Sequence, residues 1–435
     1  MSSADRRAIK EHVGRLPKKP LISIVTPVYN PSAAHLREAI ESVRAQLYPH
    51  WELCLVDDAS SAKHVRPLLT RYARKDARIK VHFREKNGGI AAASNDALGL
   101  TRGEFVALLD DDDVLASAAL YFVALEINRH PETRLFYSDE DKLDIMGRRG
   151  NAHFKPDWNP TLFLAQNFFS HLGVFTSELI KEVGFRAGFE GSQDYDLVLR
   201  CIEKVTPEQI RHIPRVLYHW RMSEKSAALN FNAKPHARAA AIKAVEEHLA
   251  RGRIAAEVTS SGDEDFRRVR YTLPNEKPRV SIIIATRDLV ELLQPCVESI
   301  LGRTSYPNFE IVLVDNGSQD PAALAFLAAA PQRNPRVRAL RREEEFNFGR
   351  INNFAVSQVE SDFVALLNND LTVINPDWLE EMVGQALQPK VGAVGARLIY
   401  PDDRIQHAGV ILGGGGVAAH VCCSFLFHLS SINFC

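Results

Sequence analysis

The five residues FVALL occur twice in the chain, at Phe105–Leu109 and at Phe363–Leu367. Four aspartates follow the first copy (Asp110–Asp113), and Asn-Asn-Asp follows the second (Asn368–Asp370). An apolar run of this length that ends in polar residues is typical of a strand buried on both faces of a parallel sheet. Each polar run therefore comes directly after a predicted buried strand.

Other segments repeat at the same spacing of 258 residues that separates the two FVALL runs. They are PLIS and PRVS at Pro20–Ser23 and Pro278–Ser281, Tyr-Pro pairs at Tyr48 and Tyr306, and VDDAS and VDNGS at Val56–Ser60 and Val314–Ser318. Four anchors at one offset predict a tandem of two whole domains, because the period is far longer than that of a solenoid repeat. A chain of 435 residues is long enough for two such domains.

Each copy alternates short apolar runs with helical patterns. In the first copy we predict strands at Leu21–Thr26, Glu52–Val56, Ile79–Phe83 and Phe105–Leu109, and helices at Leu36–Leu47, near Val65–Tyr72 and from Ile90. This βαβα order predicts an α/β fold with a doubly wound, mostly parallel sheet in each copy. Ligands of such sheets bind beyond the carboxyl ends of the strands, which is where Asp110–Asp113 lie.

Asp110–Asp113 places four carboxylates side by side, and their mutual repulsion requires compensation. A hard divalent cation with oxygen ligands would supply it, and next to substrate phosphates that ion is usually Mg²⁺ or Mn²⁺. A solvated acidic turn accounts for the same residues. Position alone does not separate these two interpretations.

Charge and composition exclude several classes of protein. Lys and Arg total 53 against 54 Asp and Glu, so the net charge of -1 provides no basic field for nucleic acid. The scattered residues Cys54, Cys201 and Cys296 lack the spacing of a metal or redox motif. The first residues lack the apolar core of a secretory signal, so we expect a cytoplasmic protein.

Several nucleotide-binding and hydrolytic motifs are missing from the sequence. No dinucleotide-binding G-x-G-x-x-G follows a predicted strand, and no P-loop occurs. The G-x-S-x-G nucleophile elbow and the H-E-x-x-H zinc motif are also absent. These absences leave a parallel α/β sheet with an acidic site and no glycine loop that would hold phosphates.

Six motifs between Thr26 and Arg221 resemble those of GT-A glycosyltransferases of the large inverting family 2. They are TPVYN (Thr26–Asn30), VDDAS (Val56–Ser60), NGGIAAASNDAL (Asn87–Leu98), LLDDDD (Leu108–Asp113), GSQDYDLVLR (Gly191–Arg200) and LYHWR (Leu217–Arg221). The duplicated layout, with FKPDWNP at Phe154–Pro160, is similar to tandem transferases of bacterial surface-polysaccharide assembly, such as those of O-antigen clusters.

The resemblance implies a metal-dependent enzyme that moves a sugar from a nucleotide-sugar donor, of the UDP or dTDP type, to a saccharide acceptor. Its substrate-binding residues would be Thr26, Pro27, Tyr29, Asp57, Asp58, Gly88, Asn95, Asp110 and Asp111. Tyr29 would pack on the pyrimidine. Asp57 and Asp58 would hydrogen-bond the base and the ribose, and Asp110 would approach the ribose.

The resemblance also implies a metal site and a general base. Asp112 would ligate the Mg²⁺ or Mn²⁺ ion that bridges the diphosphate, and His219 would be a further ligand. Asp194 would take the proton of the acceptor hydroxyl. The family usually has Glu before this aspartate, and Gln193 stands there instead.

Single residues of this set have ordinary structural alternatives. Asp57 is also suited to cap a strand end, and His219 is also suited to the core. Asp194 or Asp196 would cap the helix that follows. The ordered set of motifs, more than any one residue, favours the catalytic interpretation.

The second copy is expected to be inactive. Asp370 corresponds to Asp112, whereas the counterpart of Asp194 would fall beyond residue 435, so we expect the second domain to be incomplete. The alternative is a non-catalytic nucleotide-sugar-binding or assembly protein that this truncation has disabled. A third candidate, a sugar-phosphate nucleotidyltransferase, would need a basic glycine loop after the first strand, where TPVYN stands.

These patterns predict the domain boundaries. We expect a helical extension at 1–19, a catalytic domain at 20–232, a helical linker at 233–275 and the incomplete second domain at 276–435. Gly392–Leu398 and His407–Ile411 are predicted strands of the second domain. No Asp, Glu, Lys or Arg follows Arg404, and we interpret the residues from about 421 as an aberrant tail, frame-shifted or prematurely ended, and not as a membrane anchor.

The expected acceptor is a saccharide, most simply a growing lipid-linked one. An acceptor of this kind implies peripheral contact with the inner face of the membrane. No nucleic acid partner is expected.

Overall fold

The computed structural model describes residues 2–222, 235–261, 266–412 and 418–420. The chain divides into two compact units, with the boundary after Val269. Among the described residues, none of the helices is long and apolar enough to cross a membrane.

The first unit alternates helices and strands. Its helices are α1 (Ser3–Arg15), α2 (Ala33–Arg44), α3 (Val65–Lys75), α4 (Gly89–Leu100), α5 (Ala119–Arg129), α6 (Pro160–Ala165), α7 (Ser177–Val183), α8 (Gln193–Ile202) and α9 (Pro235–Arg251). Its strands are β1 (Ile22–Val28), β2 (Trp51–Asp57), β3 (Ile79–Phe83), β4 (Phe105–Leu108), β5 (Val114–Leu115), β6 (Leu135–Leu143), β7 (Arg149–His153), β8 (Gly173–Thr176), β9 (Ile210–Arg221), β10 (Ala256–Ser260) and β11 (Arg267–Tyr271), which crosses the boundary.

The main sheet has the strand order β3-β2-β1-β4-β8-β6-β9-β5, and β7 pairs with β6. Strands β3, β2, β1 and β4 are parallel neighbours, as are β6 and β9. Strand β8 runs antiparallel to β4, β5 to β9, and β7 to β6. The predicted α/β fold with a mostly parallel sheet is confirmed.

Helices cover both faces of this sheet, because successive side chains of each buried strand point to opposite sides. Ile24 packs in the core formed with α2, α3 and α5. Val25, the next residue, packs in the core formed with α4, α7, α8 and α9. Strand β1 is therefore buried along almost its whole length and not at alternate positions, as a strand covered on both faces is.

The predicted helical linker at 233–275 is wrong in two respects. Helix α9 packs in the first unit's core through Ala244, Val245 and Leu249, so it is part of that domain. Beyond it, β10 and β11 form a two-stranded sheet within the range predicted as a helical linker. The helical pattern of α9 was evident in the sequence, but the surface against which its apolar side packs was not.

The second unit repeats the parallel half of the first. Its helices are α10 (Val290–Arg303), α11 (Pro321–Arg333), α12 (Phe348–Val356) and α13 (Trp378–Ala386). Its strands are β12 (Val280–Thr286), β13 (Phe309–Asp315), β14 (Val337–Arg341), β15 (Phe363–Leu367), β16 (Leu398–Ile399), β17 (Ile405–His407), β18 (Val410–Leu412) and β19 (Ala418–His420). The order β14-β13-β12-β15 corresponds to β3-β2-β1-β4.

The duplication extends to individual hydrogen bonds. Ser23 donates to Glu52 at 2.6 Å, and Ser281 donates to Glu310 at 2.7 Å. Tyr48 donates to the carbonyl of Pro20 at 2.8 Å, and Tyr306 repeats this contact with Pro278 at 2.6 Å. The tandem predicted from the constant offset is confirmed.

Two strand predictions in the second unit are wrong. Of Gly392–Leu398 only Leu398 is in a strand, and His407–Ile411 is divided at Gly409 between β17 and β18. The positions that correspond to β8, a neighbour of β6 in the first unit, lie outside the described residues. The tail from about residue 421 also lies outside them.

Candidate active site

The acidic run is a turn that connects β4 to β5 at the carboxyl end of β4. Strand β9 fixes it from the side, because the Tyr218 hydroxyl donates to Asp113 Oδ2 at 2.6 Å and accepts from the Asp110 amide at 3.3 Å. The Arg221 amide donates to Asp113 Oδ1 at 2.7 Å. The fourth aspartate is thus a buried anchor for the turn, and the first three are partly exposed.

The Arg221 guanidinium holds the backbone of this turn. Its Nε donates to the carbonyl of Asp112 at 2.7 Å, and Nη2 pairs with the carboxylate of Glu38 on α2. The last residue of the YHWR motif therefore ties β9 to both the acidic turn and α2.

Negative charge is costly within the run. Burial, with added repulsion from Asp112 and Asp110, raises the pKa of Asp111 to about 8. The Tyr29 amide donates to Asp111 Oδ2 at 2.9 Å, and this hydrogen bond opposes the rise in pKa. Burial and the same kind of repulsion raise the pKa of Asp113 well above its usual range. A cation bound at this turn would relieve that cost.

His219 lies beside the turn, because Val114 of β5 pairs with it in the antiparallel register. Its Nδ1 is held by Asp141 Oδ1, and Asp141 Oδ2 accepts from Arg149 Nε at 2.7 Å. Burial lowers the pKa of His219, although Asp141 opposes this shift. A neutral imidazole whose Nδ1 is held by a carboxylate has only Nε2 to offer an ion, as metal-binding histidines usually do.

The donor set of Asp112 and His219 fits Mg²⁺ or Mn²⁺ in its chemistry. Within the described part of the chain, no group of three or more His, Cys, Asp or Glu residues is arranged as a metal site. Magnesium characteristically takes few protein ligands and completes its shell with water and substrate phosphates. Two protein ligands are therefore compatible with such an ion.

The Asp58 carboxylate is engaged within the protein. It accepts from Arg84 Nη1 at 2.6 Å, from the Gly88 amide at 2.9 Å and from the Gly89 amide at 2.8 Å. A Cβ at Gly88 would lie 2.4 Å from Arg84 Nη1, so a side chain at this position would displace the Arg84 guanidinium. Asp58 thereby fixes the start of α4 next to the carboxyl end of β2.

The remaining donor-side residues lie at the ends of β1 and β2. Thr26 is buried, and its hydroxyl has no hydrogen-bond partner among the described residues. Pro27 is partly buried, and the Tyr29 side chain is 55% exposed. Asp57 is buried and accepts from the Ser60 amide at 3.1 Å, as a strand-end cap would. The bond between the Tyr29 amide and Asp111 brings this loop to the acidic turn.

Both ends of the Asn95 side-chain amide bond to the Phe185 backbone. Its Nδ2 donates to the carbonyl of Phe185 at 2.9 Å, and its Oδ1 accepts from the Phe185 amide at 2.8 Å. The side chain therefore holds α4 to the loop that follows α7. The prediction that Asn95 faces a nucleotide is not supported by any contact of its amide.

Asp194 lies in the first turn of α8 and is partly exposed. Its Oδ2 accepts from Asn167 Nδ2 at 2.9 Å and from the Ser170 hydroxyl. Asp196, two positions later, is buried in ion pairs with Arg186 and Arg200, which hold the pKa of its carboxyl below the usual range against the effect of burial. In the described contacts neither aspartate caps the helix.

The loop from 166 to 172, between α6 and β8, connects Asp194 to the acidic turn. Ser170 bonds to Asp194, and the next residue, His171, stacks on Tyr218 with ring centroids 4.5 Å apart. Glu140 of β6 accepts from His171 Nδ1 at 3.1 Å. Sequence reasoning missed this loop. Polar Asn, Ser and His within the apolar run LFLAQNFFSHL were the signal that could have revealed it.

Residues 23–182 and 281–411 match the family model described as glycosyl transferase family 2. Over 414 residues (95% of this chain), the sequence is 52% identical to the uncharacterized protein y4gI of Sinorhizobium fredii, of which it covers 45%. It is 42% identical over the same length to the O-antigen biosynthesis protein RfbC of Myxococcus xanthus, of which it covers 32%. The chain thus spans less than half the length of these two relatives.

Among solved structures, S. aureus TarS 1-349 in complex with UDP-GlcNAc aligns with 52% of this chain and 66% of that chain. The TM-score is 0.43 and the sequence identity 19%. A likeness of this size carries no argument about ligands or mechanism.

Proposed function

The chain belongs to glycosyl transferase family 2, and on that premise we propose that its first unit transfers a sugar from a nucleotide-sugar donor to a saccharide acceptor, with inversion at the anomeric carbon. One observation carries the proposal. In the loop at 166–172, Ser170 bonds to the candidate base, Asp194, and His171 stacks on Tyr218, which bonds to the acidic turn, and these contacts support a single site.

The donor would bind across the carboxyl ends of β1, β2 and β4. The exposed Tyr29 ring is suited to a pyrimidine base, since it offers a stacking face, and Thr26 would line the base pocket. Asp57 and Asp110 would bond the base and ribose. The donor pocket would also be shaped by Pro27, Asp58, Gly88, Asn95 and Asp111.

Asp112 and His219 would hold a Mg²⁺ or Mn²⁺ ion next to the donor phosphates. Such an ion, when bound, supplies Lewis-acid compensation for the charge on the departing diphosphate. Asp141 keeps the His219 ring in the orientation and tautomer that such a ligand needs.

Asp194 would accept the proton of the acceptor hydroxyl. The acceptor oxygen then forms a bond to the anomeric carbon as the bond from that carbon to the diphosphate oxygen breaks, and attack from the opposite side inverts the centre. Asn167 and Ser170 both donate to Oδ2 and would hold the carboxylate in place, and Oδ1 would face the acceptor.

The acceptor would be a saccharide, carried on a lipid at the inner face of the bacterial membrane. The identity of 42% with a protein named for O-antigen biosynthesis supports a role in surface-polysaccharide synthesis. The protein would then work in the cytoplasm with peripheral membrane contact.

A donor screen tests the proposal. The full chain is mixed with UDP-, dTDP- and GDP-sugars, with Mn²⁺ or with EDTA, and release of nucleoside diphosphate is measured. We expect release from one nucleotide class, strongly reduced by EDTA. Tight nucleotide-sugar binding without any release would instead favour the non-catalytic binding or assembly protein.

A further inference from the structure

We propose that His171 is a fixed cation of the donor site that binds the terminal phosphate of the nucleoside diphosphate leaving group. This inference rests on the proposed function, because it assigns a ligand to the same site. It concerns a residue that none of the six motifs contains.

The first step is the position of the ring. His171 stacks on Tyr218 at 4.5 Å with an interplanar angle of 17°. The hydroxyl of that tyrosine bonds to both Asp110 and Asp113. The imidazole therefore lies over the residue that anchors the acidic turn, at the end of β4 where the donor diphosphate would bind.

The second step is the set of contacts that holds the ring. Glu140 accepts from both the Nδ1 and the backbone amide of His171. Lys155, which is buried, donates to Glu140 at 3.3 Å and to the His171 carbonyl at 2.7 Å. Because Nδ1 is occupied by Glu140, Nε2 is the ring nitrogen that can donate to a ligand.

The third step is the charge of the ring. Burial disfavours the imidazolium, but the hydrogen bond and charge of Glu140, together with Asp110 and Asp113, raise the pKa of His171 to about 9. The ring is therefore cationic at neutral pH. Its fixed charge requires no rearrangement when negative charge develops on the leaving group, which is the condition for effective electrostatic stabilisation.

The chemistry of the site needs such a cation. The acidic turn repels a diphosphate, and in the described contacts the Arg221 guanidinium is engaged with Glu38 and the Asp112 carbonyl. Charge-assisted hydrogen bonds to phosphate are among the stronger contacts that a protein makes. The terminal phosphate is present in a nucleoside diphosphate and absent from the monophosphate, so the two ligands separate this contact from base and ribose binding.

Calorimetric binding of UDP and UMP to the full chain tests the inference, with Mn²⁺ and again with EDTA. In His171→Gln we expect the ratio of UDP to UMP affinity to fall about tenfold, a change of about 1.4 kcal/mol, with UMP affinity unchanged. The matched control is His153→Gln, because His153 Nδ1 also approaches Glu140, at 3.8 Å, from β7. The control should leave the ratio unchanged.

Three results would overturn the inference while UDP binding itself persists. They are an unchanged ratio in folded His171→Gln, an equal fall in His153→Gln, and a fall that occurs only with Mn²⁺. If His171→Gln does not fold, His171→Arg retains a cation and must keep the ratio within a few-fold of wild type. If wild type binds none of the nucleoside diphosphates UDP, GDP and dTDP, both the proposed function and this inference fail.

Discussion

Asp194 and Asp196 are two positions apart on α8, yet their surroundings differ in charge. Asp196 is buried between two arginines, so its negative charge is already compensated. Asp194 has the neutral donors Asn167 and Ser170, which fix one oxygen without neutralising the carboxylate. A carboxylate that neutral donors hold in place is suited to accept a proton.

Removal of either neutral donor should slow the reaction. In Ser170→Ala and Asn167→Ala we expect kcat to fall about tenfold, because a hydrogen bond to a charged group contributes about 1.5 to 3 kcal/mol and positions the base. The donor KM should change little, since neither residue contacts the acidic turn. Steady-state kinetics measure both values, and Ser357→Ala in the second unit is the control. A rise in donor KM with unchanged kcat would contradict the positioning role.

The His171–Glu140 ion pair should make stability depend on pH. Glu140, with Asp110 and Asp113, raises the folded-state pKa of His171 to about 9 against the effect of burial. In the unfolded chain a histidine titrates near about pH 6.5. Protonated His171 therefore contributes stability that is fully present below about pH 6.5 and is lost as the pH rises through about 9.

Urea unfolding of wild type and His171→Gln measures this contribution. We expect the stability difference between the two to be largest below about pH 6.5, to shrink as the pH rises from there to about 9, and to be small at higher pH. Tm measurements at the same pH values provide an independent check. A difference that stays constant over this range would show that His171 is not the titrating group.

At the scale of elements, the sequence predicts those helices, strands and turns that a local pattern of apolar and polar residues determines. Strands β1 to β4, their helices and the acidic turn follow from apolar runs and strand ends, and all were located within a few residues. The loop at 166–172 could not be predicted in this way, because its bonds to Asp194 and Glu140 span 24 to 31 residues and depend on the packed fold. The same limit explains why α9 was taken for a linker.

Helix α9 should contribute to the stability of the first unit. Leu249 is buried in the core with α7 and α8, so Leu249→Ala should destabilise that unit by about 2 to 5 kcal/mol. The exposed neighbour Lys243→Ala should have little effect and serves as the control. Urea unfolding followed by tryptophan fluorescence measures the change. Equal stability of wild type and Leu249→Ala would support the linker interpretation instead.

At the scale of the whole molecule, the two units share a framework but differ at the candidate site. Asp315 corresponds to Asp57, and Arg341 pairs with it at 2.7 Å, whereas the first unit has Phe83 at the equivalent position. Asn369 of the second unit bonds to Thr286 at 3.3 Å in place of the four-aspartate run. We therefore expect the chemistry to take place in the first unit alone.

Matched substitutions in the two units test this division. Asp112→Asn should abolish Mn²⁺-dependent transfer, because it removes a proposed metal ligand. Asp370→Asn at the corresponding position should leave transfer near the wild-type rate. Release of nucleoside diphosphate at several Mn²⁺ concentrations measures both. Loss of transfer in Asp370→Asn, or survival of transfer in Asp112→Asn, would contradict the assignment of the active site to the first unit.

The assignment of Asp194 as general base is the central claim, and one comparison tests it most directly. Wild type, Asp194→Asn and Asp157→Asn are assayed for nucleoside diphosphate release with the donor that wild type uses; Asp157 is 98% exposed and is the matched acid-to-amide control. We predict that Asp194→Asn loses about a hundredfold to ten-thousandfold in kcat, the usual contribution of a general base, while Asp157→Asn retains wild-type turnover. Near-wild-type turnover in folded Asp194→Asn would contradict the account.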